Sequence, residues 1–301
     1  MTLKDRLRNF YLFVTGARYI KAMLEDRPNK YLQNIWSYAQ NEFAVKHGGV
    51  LSYNYEYYKG IHRYIKVKDL SDGGELVRIG GKADGGYTMA RRKDNSLSDG
   101  KIAYSLGICQ DVSWDKEMAE MGYEIFQYDH TIKKLPEENP HFHWEKIGIS
   151  DGDETSNLKK LGNLIRKNGH QNVKGMVLKA DIEGYEWGMF DSLDEELIDN
   201  FDQIVLEIHD LIFADAERRR IISRSLKKLA KSHVAVHIHA NNNNPVDFCG
   251  DLVTPNLLEV TYIKKSFCET ISSVRTFPTE IDMANRPDMA DIILGKWNIQ
   301  E

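Results

Sequence analysis

The stretch that most constrains the fold of this chain is Lys101–Thr131, which has the pattern strand, glycine turn, helix, strand. Ile102–Leu106 is short, mostly apolar and flanked by glycines, as expected for a buried parallel strand. Glu124–Tyr128 is the second predicted strand, and Asp129 follows it directly. The stretch therefore predicts the first βαβ unit of a doubly wound sheet.

The connection between these two strands is predicted to be a helix. Gly107 opens a turn after the first strand, Ser113 is expected to cap the helix, and Gly122 ends it. The apolar residues between them recur at helical spacing: Trp114, Met118 and Met121. Doubly wound sheets bind ligands at the carboxyl ends of their strands, where an acid after the second strand can bind both ribose hydroxyls. Asp129 therefore predicts a site for a nucleoside-containing cofactor.

Strand and helix patterns continue to alternate up to about residue 264, which is typical of the α/β class. The further predicted strands of this sheet are His143–Ile149, Gly175–Ala180, Gln203–Leu206, Val234–Ile238 and an antiparallel Leu257–Ile263. Helices are predicted over Leu158–Lys167 and Asp215–Ser232. The expected fold is a Rossmann-like, doubly wound, mostly parallel sheet of seven strands with an antiparallel last strand, preceded by a helical extension.

We divide the chain into an aromatic-rich helical extension, residues 1–70, and a Rossmann-like domain, residues 71–301. Basic residues near the start surround the apolar run Phe10–Val14, which is too short for a signal core or a membrane span. A helix there either packs its aromatic face on the body or on a second copy in a homodimer, or lies on a membrane surface. We favour the packed helix.

Composition limits the partners and the setting. The net charge of −5 argues against nucleic acid as a partner. The three cysteines form no C-x-x-C pair and leave an odd thiol, which favours a reducing, cytoplasmic setting over a disulfide scaffold.

A glycine-rich stretch, Leu76–Met89, precedes the central βαβ unit. The strand Leu76–Ile79 runs into Gly80-Gly81, and Asp84-Gly85-Gly86-Tyr87 leads into a second apolar segment. Such glycines let the backbone approach a ligand closely, and an ordinary hairpin turn is the alternative. The stretch is not a Walker A loop, because Ala83 follows Lys82 where that motif requires Ser or Thr.

Acidic and histidine side chains follow the predicted strands near the point where each strand ends: Asp129, Asp181, Glu207, His209 and His239. Because parallel strands end at one edge of the sheet, these side chains are expected at that edge. His237 alternates with His239 along its strand and is expected in the core.

These motifs resemble the Rossmann-like S-adenosylmethionine-dependent methyltransferases of the FkbM type over roughly residues 76–264. The motifs that carry the resemblance are the glycine loop with Asp84-Gly85-Gly86-Tyr87, Tyr104-Ser105-Leu106-Gly107-Ile108, Asp129, Leu178-Lys179-Ala180-Asp181-Ile182-Glu183-Gly184, Glu207-Ile208-His209 and His239-Ala240-Asn241-Asn242. One departure is Cys109, which stands where most class I methyltransferases have the second glycine of a G-x-G. The lack of G-x-G-x-x-G argues against a nicotinamide dehydrogenase.

The resemblance implies S-adenosylmethionine as the cofactor and methylation of a hydroxyl on a sugar, nucleotide-sugar or glycan precursor. It implies that Ser105–Ile108 pass under the carboxypropyl part of the cofactor, that Asp129 binds the ribose, and that Gly148-Ile149-Ser150 flank the adenine. Asp181 would approach the methionine amine or the acceptor. The expected cofactor-binding residues are Gly81, Ser105, Leu106, Gly107, Ile108, Asp129, Gly148, Ile149 and Asp181.

A hydroxyl is a poor nucleophile at neutral pH, so its methylation calls for a base or a Lewis acid. In a first scheme His209 or His239 accepts the hydroxyl proton, and Glu207 or Asp181 orients the imidazole. In a second scheme Asp181, Glu207 and His239 hold a divalent ion, for which Mg²⁺ or Mn²⁺ suits oxygen-rich ligands. We rank the first scheme slightly above the second.

Two other functions compete with this interpretation. A catalytically degenerate methyltransferase fold would act as a scaffold through its aromatic extension, and the missing second glycine favours it. A glycosyltransferase-like nucleotide-sugar enzyme would use a D-x-D motif, which Asp151-Gly152-Asp153 spells. We discount that motif because it lies in a polar turn.

Overall fold

The structure is a computed structural model that describes residues 54–249 and 252–298. The predicted basic helix around Phe10–Val14 and most of the aromatic-rich extension lie outside these residues. Within the described part of the chain, none of the helices combines the length and the apolar character needed to cross a bilayer.

Six helices and seventeen strands are present in the described residues. The helices are α1 (Tyr55–Tyr64), α2 (Ser113–Glu120), α3 (Leu161–Lys167), α4 (Glu186–Ser192), α5 (Glu195–Ile198) and α6 (Ala216–Ser232). The strands are β1 (Lys68–Leu70), β2 (Glu75–Ile79), β3 (Tyr87–Arg91), β4 (Ile102–Leu106), β5 (Glu124–Tyr128), β6 (Phe142–Glu145), β7 (Gly148–Ile149), β8 (Leu158–Lys159), β9 (Met176–Ala180), β10 (Phe201–Ile208), β11 (His233–Ala240), β12 (Val246–Cys249), β13 (Leu252–Pro255), β14 (Leu258–Lys264), β15 (Thr270–Ser272), β16 (Thr276–Phe277) and β17 (Gly295–Lys296).

Seven strands form the central sheet in the order β6-β5-β4-β9-β10-β14-β11. The pairs among the first five strands are parallel, and β14 runs antiparallel to both of its neighbours, β10 and β11. Counted along the chain, the order is 3-2-1-4-5-7-6, so the predicted doubly wound sheet with an antiparallel last strand is confirmed. The order reverses between β4 and β9, which is where ligands bind in sheets of this kind.

Some predicted boundaries are confirmed and others differ. The bounds of β4 and β5 are those predicted. The predicted strand His143–Ile149 divides instead into β6 and β7, and β7 pairs with β8 outside the central sheet. The strand β8 takes the first two residues of the predicted helix Leu158–Lys167, which therefore begins at Leu161. An apolar pattern does not reveal such pairing, because the partner strand sets where each ladder ends.

The central strands are fully buried, as expected for strands in the middle of a parallel sheet that is covered on both faces. Every residue of β9 and β10 is buried. Tyr58 and Ile61 of α1 belong to the same apolar cluster as Leu178 of β9, so the described end of the predicted extension packs into the core of the sheet.

The glycine-rich stretch forms an antiparallel hairpin of β2 and β3. Its loop is tied to α2, because the Gly80 N–H donates to Glu117 Oε2 at 2.7 Å and the Gly81 N–H donates to Ser113 Oγ at 2.8 Å. Ser113 is the first residue of α2, and its hydroxyl accepts a hydrogen bond from the loop. The N-cap residue of α2 is Val112, whose side chain makes no capping hydrogen bond. The prediction that Ser113 caps the helix was wrong.

Gly107, directly after β4, lies in close contact with Asp181, directly after β9. Its φ is +75°, and a Cβ there would overlap the carbonyl oxygen of Asp181. Gly107→Ala is therefore expected to lower the free energy of unfolding in urea by more than about 3 kcal/mol, through steric overlap added to a left-handed backbone.

Gly122→Ala is the matched control, because Gly122 also has a positive φ of +84° but has no atom within 4 Å of an added Cβ. This variant should lose only about 1–2 kcal/mol. If both variants lost the same free energy of unfolding, the close contact with Asp181 after β9 would not be what requires glycine at position 107.

Candidate active site

A cavity of about 570 Å³ lies at the carboxyl ends of β4 and β9, at the point where the strand order reverses. Six of the nine predicted cofactor-binding residues line it: Gly107, Ile108, Asp129, Gly148, Ile149 and Asp181. The loop between β2 and β3 adds Asp84 and Gly85 to its wall. The sequence left open whether the glycine-rich stretch forms a hairpin turn or a loop close to a ligand site. In the structure it is a hairpin whose loop lines the cavity.

The other three predicted cofactor-binding residues do not line the cavity. Ser105 and Leu106 lie within β4, before the turn, and are completely buried. Gly81 uses its N–H to bind Ser113. Ser105 and Leu106 thus precede the turn after β4, and Gly81 belongs to the β2–β3 loop.

The turn after β4 has a backbone that glycine favours at two positions. Gly107 has a φ of +75°, and Cys109 has a φ of +49° although it carries a side chain. Cys109 is exposed and lines the cavity. At the position of the departure from G-x-G, Cys109 carries a side chain and yet adopts the left-handed backbone that glycine reaches most readily.

Asp129 is 5% exposed and holds this turn against the end of β5. Its Oδ2 accepts hydrogen bonds from the backbone N–H groups of Ile108 and Cys109, both at 2.9 Å. Its Oδ1 accepts from the N–H of Thr131 at 2.7 Å and from the Thr131 hydroxyl at 2.6 Å. Burial opposes the charged form, but these hydrogen bonds outweigh it and hold the pKa of Asp129 below its ordinary value.

These contacts bear on the predicted role of Asp129. A carboxylate has about four lone-pair positions, and the four contacts above match that number. Asp129 therefore shapes the cavity through the turn that it holds. Direct binding of a ribose by Asp129 stays a prediction.

The charge of the cavity wall is strongly one-sided. Five carboxylates line it: Asp84, Asp111, Asp129, Asp181 and Glu183. Among the described residues that line the cavity, Lys179 is the one Lys or Arg. Its Nζ is committed to the carbonyl oxygen of Gly107 at 2.8 Å, and the residue is 4% exposed. The wall therefore favours a ligand with positive charge.

His209 lies between carboxylates at the ends of β9 and β10. Its Nδ1 is 3.2 Å from Oε1 of Glu186, and its Nε2 is 3.5 Å from Oε2 of Glu183 and 3.8 Å from Oδ1 of Asp181. Burial opposes the imidazolium, but these carboxylates outweigh it and raise the pKa of His209 to about 9. His209 is therefore protonated at neutral pH in the cation-free protein, and a protonated imidazole is no base.

Glu186, which contacts Nδ1 of His209, was missed by the sequence analysis. The first scheme expected Glu207 or Asp181 to orient the imidazole. Glu186 comes five residues after Asp181 in the sequence, and its position behind His209 depends on how α4 packs. The backbone of His209 is fixed as well, because Trp187 Nε1 donates to its carbonyl oxygen at 2.8 Å.

His239 does not lie at the cavity. It is 1% exposed, its Nδ1 is 3.2 Å from Oε2 of Glu259, and its Nε2 is 3.1 Å from Oδ2 of Asp291. Both ring nitrogens therefore face carboxylates, and one of these comes from the C-terminal tail. Burial opposes the charged ring, but Asp291 and Glu259 outweigh it and raise the pKa of His239 to about 10. A proton-accepting role for His239 does not fit this geometry.

Glu207 is also removed from the cavity surface. It is 4% exposed, and Asn241 Nδ2 donates to its Oε1. Burial raises the pKa of Glu207 well above its ordinary value, and the nearby charges of Asp181 and Glu259 add to the rise. The predicted metal set Asp181, Glu207 and His239 does not converge. Among the described residues, the group of His, Cys, Asp and Glu that does converge is Asp181, Glu186 and His209.

The fold and the site together define a class: a Rossmann-like α/β protein with an acid-lined cavity where its strand order reverses. No family model matches the chain. No curated protein matches it either.

Two solved structures are similar to the chain at a low level. One, from Pyrococcus horikoshii and provisionally assigned as an RNA methyltransferase, is 12% identical with a TM-score of 0.30, over 55% of this chain and 76% of that one. The other, a SAM-dependent methyltransferase from Agrobacterium tumefaciens, is 11% identical with a TM-score of 0.32, over 64% of this chain and 71% of that one. Similarity at this level adds nothing to what the strand order already shows.

The conformation of Cys109 can be tested by substitution. Cys109→Gly should change the free energy of unfolding by less than about 1 kcal/mol, because a relieved left-handed backbone offsets the added freedom of the unfolded chain. Cys109→Val should lose more than about 2 kcal/mol, because a β-branched residue is a strong outlier at positive φ. Urea unfolding measures both, and equal stability of the two variants would contradict the assigned conformation.

The lowered pKa of Asp129 predicts a pH-dependent contribution to stability. The contribution is complete above the ordinary aspartate pKa of about 3.9 and is lost as pH falls through the lowered folded-state value. Asp129→Asn should therefore lose stability by an amount that is constant between about pH 5 and 7 and shrinks below about pH 4. Urea unfolding across this range measures the difference. Glu120→Gln, at an exposed position of α2, is the control for the loss of a carboxylate at the protein surface.

Proposed function

We propose that this protein is an S-adenosylmethionine-dependent methyltransferase whose cofactor occupies the cavity between β4 and β9. The observation that carries the proposal is the charge of the wall, with five carboxylates and one buried, committed lysine. S-adenosylmethionine has a sulfonium and an ammonium and no phosphate, so it suits this wall. A dinucleotide or a nucleotide sugar would bring phosphate charges that the same wall repels.

The arrangement of the wall supports a place for each part of the cofactor. Gly107 and Ile108 would lie under the methionine part, and Asp181 would face its ammonium. The adenosine would lie between the turn held by Asp129 and the strand β7. A volume of about 570 Å³ falls within the range of about 300–1,000 Å³ that is usual for sites of small molecules.

The cofactor, when bound, supplies an electrophilic methyl group. The work of the protein is then to hold donor and acceptor in line, and such positioning can supply up to about 7–11 kcal/mol. The turn after β4 is suited to this because both sides are tied: Asp129 accepts from two of its N–H groups, and Lys179 donates to the carbonyl of Gly107.

On the strength of the motif resemblance, the acceptor is proposed to be a hydroxyl of a sugar or glycan precursor; the acidic wall argues against the nucleotide sugar that the resemblance also implies. A cytoplasmic location and a homodimer belong to the same proposal. The scaffold alternative loses its main support, because the missing second glycine no longer counts against a cofactor-binding turn when Cys109 adopts the same left-handed conformation.

Calorimetry with S-adenosylhomocysteine tests the cofactor. We expect binding with a Kd on the order of micromolar, and an affinity at least about tenfold weaker in Asp129→Ala, because the N–H groups of Ile108 and Cys109 lose their acceptor and the turn is no longer held in place under the cofactor. Circular dichroism confirms that the variant is folded, and Glu120→Gln should bind as the unaltered protein does.

NAD⁺ and a uridine diphosphate sugar are the competing ligands in this experiment. Neither should bind with comparable affinity. No binding of S-adenosylhomocysteine at any concentration, or tighter binding of either phosphate-bearing ligand, would overturn the proposed function.

A further inference from the structure

Three side chains converge behind the wall of the cavity. Asp181 follows β9, Glu186 begins α4, and His209 follows β10. One nitrogen or oxygen from each lies within 4.8 Å of those from the other two, a spacing that a single metal ion can bridge. Asp181 also lines the cavity, so the cluster and the cavity share a wall.

A separate observation is that Glu186 is buried with an oxygen left over. The residue is completely buried, and its Oε1 accepts from the N–H groups of Ile182 at 2.9 Å and Gly184 at 3.3 Å. Its Oε2 has no hydrogen-bond partner among residues 54–249 and 252–298. A buried carboxylate oxygen without a donor is costly and calls for a cation, a proton or a water molecule.

The imidazole ring of His209 also has an atom without a hydrogen-bond partner, on the side that faces Glu186. Its Nδ1 lies 3.2 Å from Oε1 of Glu186, yet the two atoms are not aligned for a hydrogen bond, and Nδ1 has no other partner in the described part of the chain. Two atoms of the kind that bind metals, Oε2 of Glu186 and Nδ1 of His209, are thus both without a hydrogen-bond partner in the described residues, and Nδ1 lies against the other oxygen of the same carboxylate.

The charge around the cluster is also unbalanced. Asp181, Glu183 and Glu186 surround one imidazole, and none of the three forms an ion pair with a Lys or Arg of the described residues. The nearby guanidinium of Arg218 donates to the carbonyl of Gly184 and lies 3.9 Å from Asp210 instead. A bound cation would offset the excess negative charge.

We propose that Asp181, Glu186 and His209 bind a divalent metal ion of the kind that prefers oxygen ligands, such as Mn²⁺ or Mg²⁺. Two carboxylates and one imidazole match that class, and the cluster has no thiolate. This set replaces the Asp181, Glu207 and His239 set that the sequence predicted. The proposal that these residues bind a metal ion does not depend on the proposed function. Only the role of the ion rests on that function, in which the ion lowers the pKa of an acceptor hydroxyl at the cavity wall.

Titration of the chelator-treated full chain with Mn²⁺, followed by calorimetry and electron paramagnetic resonance, tests the binding. We expect one site with a Kd below about 1 mM. Glu186→Gln keeps the acceptor for Ile182 and Gly184 but removes the charge, and it should weaken Mn²⁺ binding by at least about tenfold. His209→Gln should also weaken Mn²⁺ binding by at least about tenfold. If circular dichroism shows that Glu186→Gln is unfolded, the Mn²⁺ affinity of His209→Gln tests the proposal instead.

Asp210→Asn is the matched control for Glu186→Gln, because it also removes one carboxylate charge beside His209. Asp210 does not belong to the converging group. The Mn²⁺ affinity of this variant should change by no more than about twofold, since an exposed charge acts weakly through solvent. A wild-type chain that binds no Mn²⁺ at millimolar concentration overturns the proposal. So does binding that survives in both ligand variants, or a loss in Asp210→Asn as large as theirs.

The same samples separate this proposal from the proposed function. S-adenosylhomocysteine binding without Mn²⁺ binding would overturn the metal site alone. Mn²⁺ binding that follows the pattern above, without S-adenosylhomocysteine binding, would support the metal site and overturn the cofactor.

Discussion

The site depends on how tightly the turn after β4 is held. Gly107 passes so close to Asp181 that no side chain fits between them, and Asp129 binds the next two N–H groups from the end of the neighbouring strand. These contacts bring the carboxyl ends of β4, β5 and β9 together at one place. The cavity is the space that remains above that junction, and its floor is the turn that these contacts hold.

The charge of the site follows from the same junction. Because every parallel strand ends at this edge, the acidic residues after β5 and β9 meet there, together with those of the β2–β3 loop. Lys179 is the cation nearest to them in the cavity wall, and it is used to hold the Gly107 carbonyl. The proposed cofactor and the proposed metal ion would both offset this excess of negative charge. The cofactor would lie on the cavity side of Asp181 and the metal ion on the side of Glu186 and His209.

The parts of the fold that the sequence predicted correctly have local signals. The strand β4 lies between Gly100 and Gly107, β5 begins shortly after Gly122, both are mostly apolar, and their bounds agree with the prediction. Asp129 was identified from its place directly after β5, and it does line the cavity. The errors concern partners that are distant in the chain. Asp291, which lies 52 residues after His239, closes off that histidine, and the pairing of β7 with β8 shortens the predicted helix.

The sequence by itself determined the order of strands and helices, the class of the fold, and which strand ends carry acids and histidines, because periodicity and turn residues are local properties. Only the tertiary structure decided which of those side chains share a site. The histidines of β10 and β11 look equivalent in the sequence, yet packing places His209 beside the cavity and buries His239 under the tail. The choice of Glu186 over Glu207 beside His209 has the same cause: it depends on how α4 packs against the end of β10, and no local pattern encodes that distance.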